Sequence, residues 1–153
     1  MMNTAKKSPP IKTTSLFHVV PYFNEKENWG DHKKINGLLV LALVQIRELV
    51  GSPFKINCAF DTKGHATKSQ HYVGNAVDGV FTKISFPVAI VRVEKALQAL
   101  QLDTRMGLGI YPQWRTPGFH FDVRGMRARW GWLDGKQAPY PKVRAFAMGK
   151  TKK

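Results

Sequence analysis

Hydrophobic and polar positions alternate along this chain in two different periods, and those periods mark out its elements. From about Asp31 to Val50 the apolar residues Ile35, Leu38, Leu39, Ala42, Ile46, Leu49 and Val50 recur at steps of three and four. That spacing predicts an amphipathic helix with a broad core-facing stripe, with Asp31 as its N-cap and Gly51 as its stop. Phe54 to Phe60 alternates loosely and reads as a strand. Ala76 to Phe81 is apolar apart from Asp78 and Gly79, a half-buried strand carrying one carboxylate inward. A second helix is expected from about Phe86 to Leu100, with Pro87 in its first turn and Val88, Val91, Ala96, Leu97 and Leu100 facing the core. Met106 to Tyr111 and Phe119 to Val123 read as a hairpin with a broad loop.

The flanks are less patterned. Residues 1–15 read as a flexible basic lead, and Leu16 to Gly30 as irregular packing over the core. Residues 16–140 read as one domain, and Ala138 to Lys153 as a weakly structured end that includes a basic tail at 141–153. Helices mixed with hairpin strands predict an α+β fold built on a small antiparallel sheet.

Composition adds bounds. At 153 residues the chain is long enough to bury a core, and its 43% hydrophobic content is that of an ordinary globular domain. No apolar run is long enough to span a bilayer, so no membrane partner is expected. The lead lacks the apolar region of a secretory signal, so the expectation is a protein made in the cytoplasm. The single cysteine, Cys58, excludes an internal disulfide and reads as a small hydrophobe. The net charge of +14 favours anionic partners such as nucleic acid or a bacterial cell wall, although part of it lies in the basic ends.

Candidate chemistry lies in two stretches, Ser69-Gln70-His71-Tyr72-Val73-Gly74-Asn75-Ala76-Val77-Asp78 and Phe119-His120-Phe121-Asp122-Val123-Arg124. His71, Asp78 and His120 are three ligands suited to Zn²⁺, and a catalytic zinc usually keeps three protein ligands and a water. Two unrelated imidazoles and a paired carboxylate would give the same residues. Strand alternation places Asp122 on the face of His120, with Phe119, Phe121 and Val123 opposite. Asp122 is therefore a candidate base for a metal-bound water, or a group that orients His120 or pairs with Arg124.

S-x-H-x-x-G-x-A-x-D from Ser69 to Asp78, then Gly107-Leu108-Gly109-Ile110-Tyr111-Pro112, then F-H-x-D-V-R from Phe119 resemble, in that order, the zinc D-Ala-D-Ala carboxypeptidase and endopeptidase family with its hedgehog-type DD-peptidase fold. The resemblance spans roughly Ile35 to Trp132. It implies helices on one face of the sheet and, on the other, Zn²⁺ held by His71, Asp78 and His120. It further implies hydrolysis of a peptide bond in peptidoglycan stem peptides, and a small single-domain chain with no recognisable signal peptide fits a lysis enzyme of phage or prophage type that acts at the wall once released. Ser69 matches a substrate-contacting serine. Tyr111, Trp114 and Trp130 are candidate cleft walls, and Arg124 and Arg129 candidate carboxylate binders. Two departures matter. The arginine that usually follows the first strand is Asp61 here, leaving Lys63, Lys68 or His65 to replace it, and the acid usually three residues before the second histidine is Pro117. The latter keeps open a non-catalytic zinc or wall-binding module, probed against the enzyme by turnover. A nucleic-acid binder has only the Arg127 to Trp132 stretch in its favour. A monomer is expected.

Overall fold

The computed structural model describes residues 16–149. Six strands form one open, mixed sheet: β1 (Phe54–Cys58), β2 (Ala76–Phe81), β3 (Gly107–Tyr111), β4 (Gly118–Asp122), β5 (Ala128–Leu133) and β6 (Lys136–Pro139), in the spatial order β1-β2-β4-β3-β5-β6. Helices α1 (Gly37–Val50), α2 (Phe86–Ala99) and α3 (Tyr140–Ala147) complete the α+β architecture. Neighbouring strands are antiparallel except β3 and β5, which are parallel. The sheet is thus mixed, not wholly antiparallel as the hairpin pattern suggests. The chain leaves β4 and steps past β3 within residues 123–127. Gly125 makes this possible with a left-handed φ of 89°, its N–H donating to the Arg105 carbonyl.

The predicted first helix splits. Asp31 caps only a short 3-10 turn, His32–Lys34, by accepting from the Lys33 N–H, while Asn36 caps α1 through the Leu38 N–H. Gly51 ends α1 in the left-handed region, as expected. The buried stripe is Leu39, Val40, Leu43, Ile46 and Val50; Leu38 and Leu49 lie on the exposed side. In α2 the buried positions are Ala89, Ile90, Val93, Ala96 and Leu97, so Val88 turns outward and Ala96 and Leu97 keep their expected place.

These helical side chains join Phe54, Ile56, Val77, Leu108, Phe119 and Phe121 in one core, with Phe17, Phe23 and Trp29 packed over its edge. Alternation along β2 and β4 sends Asp78 and His120 to the opposite face of the sheet. Residues 138–147 form regular structure where weak structure is expected, while the lead, 1–15, and the last residues of the basic tail, 150–153, lie outside the described residues. β5 pairs with β3, and α3 packs Val143 against Gly131, where any side chain on residue 131 would overlap Val143. Arg144 pairs with Glu94 of α2 at 2.9 Å, fastening α3 to the body. Among the described residues no helix is long and apolar enough to cross a membrane.

Candidate metal centre

His71 is delivered by a 3-10 turn, Gln70–Val73. Ser69 caps that turn, its hydroxyl accepting from the His71 N–H at 3.2 Å, and Gly74 ends it at φ 73°. A Cβ on Gly74 would overlap the Lys34 carbonyl, so the close approach of the turn to the start of α1 requires glycine. The Gly74 carbonyl accepts from the Asn36 N–H, tying the two segments together. Asp78 and His120 are directly opposed residues of β2 and β4. Asp78 Oδ1 lies 3.3 Å from His71 Nε2 and 2.9 Å from His120 Nδ1. One ligand atom from each of the three falls within 4.8 Å of the others, so the group could hold a metal ion.

The outer nitrogens of both imidazoles are committed. His71 Nδ1 donates to the Ala59 carbonyl at 2.6 Å, and His120 Nε2 donates to Asp122 Oδ2 at 2.7 Å. Each outer bond keeps its proton on the outer nitrogen, so the inner nitrogen, which faces Asp78, is the one that could give a lone pair to a metal once its own proton is displaced, the pattern of metal-ligating histidines. Asp122 is fully buried and also accepts from Arg124 Nε at 2.8 Å, Arg124 Nη2 at 2.7 Å and the Gly107 N–H at 3.2 Å. This carboxylate meets the ring nitrogen of His120 that Asp78 does not, and it has no exposed surface. Of the roles expected for Asp122, these bonds match orienting His120 and pairing with Arg124, and it is not among the residues that line the cavity over the three ligands. Its acidity fits. Burial alone would raise the pKa, but the bonds from Arg124 and His120 hold it well below the usual carboxylate range.

The other candidates separate cleanly. A cavity of about 490 Å³ opens over the three ligands and is bordered by His65, Ser69, Tyr111, Trp114, Arg124, Trp130 and Trp132. Tyr111 stacks on Trp114 at 4.2 Å and accepts from Trp130 Nε1 at 3.0 Å, so these rings form one wall. Lys68 lines the loop side, as does His65, whose ring stacks on His71 at 4.1 Å. Arg124 spends its Nε and Nη2 donors on Asp122 and lies over the Trp130 ring. Arg129 is elsewhere, paired with Asp103 at 2.8 Å beside α2 and α3. Pro117 offers no acid.

Cys58, which reads from the sequence as a small hydrophobe, stands beside the candidate ligands. A register shift in β1 between Ile56 and Cys58 is the cause. Ile56 opposes Gly79 and faces the core, but Cys58 opposes Asp78, so the extra residue turns the thiol to the metal face. Cys58, His65 and His71 form a second group whose ligand atoms lie within 4.8 Å of one another.

Without metal the centre is an ion pair. At His71, burial opposes the charged imidazolium but is outweighed by bonding to Asp78, Cys58 and the Ala59 carbonyl, which raises the pKa from 6.5 to about 10. At Asp78, burial is likewise outweighed by the bonds from His120 and His71, which lower it from 3.8 to about 2. The raised His71 stabilises the fold fully below pH 6.5, and that contribution is lost as pH rises through about 10. The depressed Asp78 contributes above pH 3.8, and its share is lost as pH falls through about 2. A bound metal must displace the His71 proton. Zinc affinity is therefore expected to keep rising between pH 7 and 8, by about tenfold per unit for one displaced proton, where free imidazoles would already have levelled off. A flat affinity over that unit in a competition titration would contradict this ionisation state.

No protein-family model, curated protein or solved structure matches the chain significantly.

Proposed function

We propose that the protein is a zinc metallopeptidase that hydrolyses a peptide bond in peptidoglycan stem peptides, of the D-Ala-D-Ala carboxypeptidase or endopeptidase kind. The observation that carries the reading is the convergence of His71, Asp78 and His120 on one point with both outer imidazole nitrogens anchored. Two nitrogens and one carboxylate oxygen beside an open cavity suit a catalytic zinc, which leaves one position for water. Zinc bound there supplies a Lewis acid and a water whose pKa falls to about 7. The chain's own contributions are positional. Asp122 and Arg124 hold His120, Ser69 holds the turn of His71, and the Tyr111–Trp114–Trp130 wall borders the space a substrate would fill. The net charge of +14 would steer the protein to the anionic wall.

A specific observation favours a second reading. Pro117 stands where the family has an acid, and Asp122 is sealed from the cavity, so the three-ligand centre lacks an evident carboxylate base. The alternative is a zinc-containing module that binds the wall without cutting it. Incubation of purified peptidoglycan with the zinc-loaded protein separates the two. New amino groups or released D-Ala, abolished by chelator and by His71→Ala, are the expected result. Retention on insoluble peptidoglycan with no released product over many hours would establish the binding module instead.

A further inference from the structure

We propose that Cys58, Asp61 and His65 form a second divalent-cation site of the zinc class, beside the first centre and sharing no ligand atom with it. His65 Nε2 lies 3.3 Å from Asp61 Oδ2 and 3.8 Å from Cys58 Sγ, and Sγ lies 3.9 Å from the same carboxylate oxygen. A tetrahedral zinc with ordinary bond lengths to sulfur, nitrogen and oxygen sets ligand–ligand edges of about 3.3 Å between N and O and about 3.5 Å from S to either. The nitrogen–oxygen edge already matches. The sulfur edges close with a shift of a few tenths of an ångström, which a half-exposed loop can make. As hydrogen bonds the two sulfur contacts are weak, so the thiol gains little from these neighbours unless an ion joins them.

Each ligand is aimed by a contact of its own. The register shift in β1 turns Cys58 away from the core. Asp61 Oδ1 accepts from the Thr62 N–H at 2.8 Å, which leaves Oδ2 to face His65 and Cys58. The Tyr72 hydroxyl grips the His65 main chain from both sides, accepting from its N–H at 2.9 Å and donating to its carbonyl at 2.7 Å. Thiolate, imidazole and carboxylate together select Zn²⁺ or Co²⁺ over the hard cations Mg²⁺ and Ca²⁺. An ion held here would fasten the 61–68 loop, one rim of the cavity, to the end of β1. The main rival is that Cys58 serves the first centre, because its sulfur also approaches a ring nitrogen of His71.

Cobalt substitution tests this, since a thiolate on Co²⁺ gives a near-ultraviolet charge-transfer band that imidazole and carboxylate do not. The full-length reduced protein should bind two Co²⁺ per chain and show the band. Cys58→Ser should bind one and lose the band, and Asp61→Asn should weaken the uptake that carries it. His120→Ala should bind one and keep the band; Asp78→Ala serves the same purpose should His120→Ala lose its circular-dichroism spectrum. One Co²⁺ per chain without a thiolate band would overturn the proposal. So would a band that disappears in both His120→Ala and Asp78→Ala, which would make Cys58 a ligand of the first centre. Peptidoglycan turnover does not enter the readout, so absence of hydrolysis leaves this test standing.

Discussion

Asp122→Asn is expected to weaken zinc binding by about 10–100-fold, with occupancy recovered at high metal concentration. The effect runs through the tautomer of His120. Asp122 Oδ2 accepts a hydrogen bond from His120 Nε2 at 2.7 Å while both its oxygens also accept from Arg124. An asparagine has only one acceptor oxygen. If that oxygen stays with Arg124, its amide N–H₂ faces His120 Nε2, which must then give up its proton. The proton moves to Nδ1, the nitrogen facing Asp78, where it blocks the metal. If the amide turns the other way, its N–H₂ meets the guanidinium instead. Either way Arg124 loses a charged partner in a half-buried position, and the fold should lose about 2–3 kcal/mol, below the range for a fully buried pair because the guanidinium still reaches solvent. Zinc titration calorimetry and urea unfolding on the same sample check both halves. Unchanged zinc affinity would show that His120 does not depend on Asp122.

Gly107→Ala should cost as much by a different route. A Cβ at residue 107 would sit well inside contact distance of all three carboxylate atoms of Asp122. That carboxylate is not the free end of a flexible chain. It is fully buried and held by His120, Arg124 and the Gly107 N–H itself. The methyl can be accepted only by pushing the carboxylate off its partners or by parting β3 from β4, at about 1–3 kcal/mol or more. Zinc affinity should fall with stability, and combining Gly107→Ala with Asp122→Asn should be clearly less than additive because both disable one contact. Additive losses in that cycle would place the glycine's importance elsewhere in the sheet.

Much of this centre is legible in the sequence. The ligand trio stands out because His71 and Asp78 flank a glycine turn, and because strand alternation near His120 is clean enough to separate it from Phe119 and Phe121. The face of α1 was harder to read. Leu38 to Val44 is apolar without a break, so the pattern alone could not prefer Val40 and Leu43 over Leu38 and Leu49. The role of Asp122 was also hidden. Alternation gives its side of the sheet, but its enclosure depends on a glycine in the neighbouring strand, fifteen residues earlier. The place of Cys58 is not legible because regular alternation puts it on the face of Ile56, and a bulge of one residue is invisible in a five-residue strand. The last strands and α3 escaped notice for a related reason. Their order comes from pairing with β3 and from Val143 filling the place left by Gly131, both of which are non-local.

The three ligands of the first centre do not sit on equally durable ground. Asp78 and His120 face each other across β2 and β4, the strands flanked by β1 on one side and β3 on the other. Interior strands of a sheet belong to the part of a fold that opens last. His71 rides on a turn of four residues secured by a serine cap and a few long-range bonds. The cheapest excursion that detaches a ligand is therefore a local opening of that turn, with the sheet intact. The lifetime of an ion held there would then be set by the dynamics of residues 69–74, and changes that loosen or brace that short segment would tune metal exchange without touching global stability in proportion.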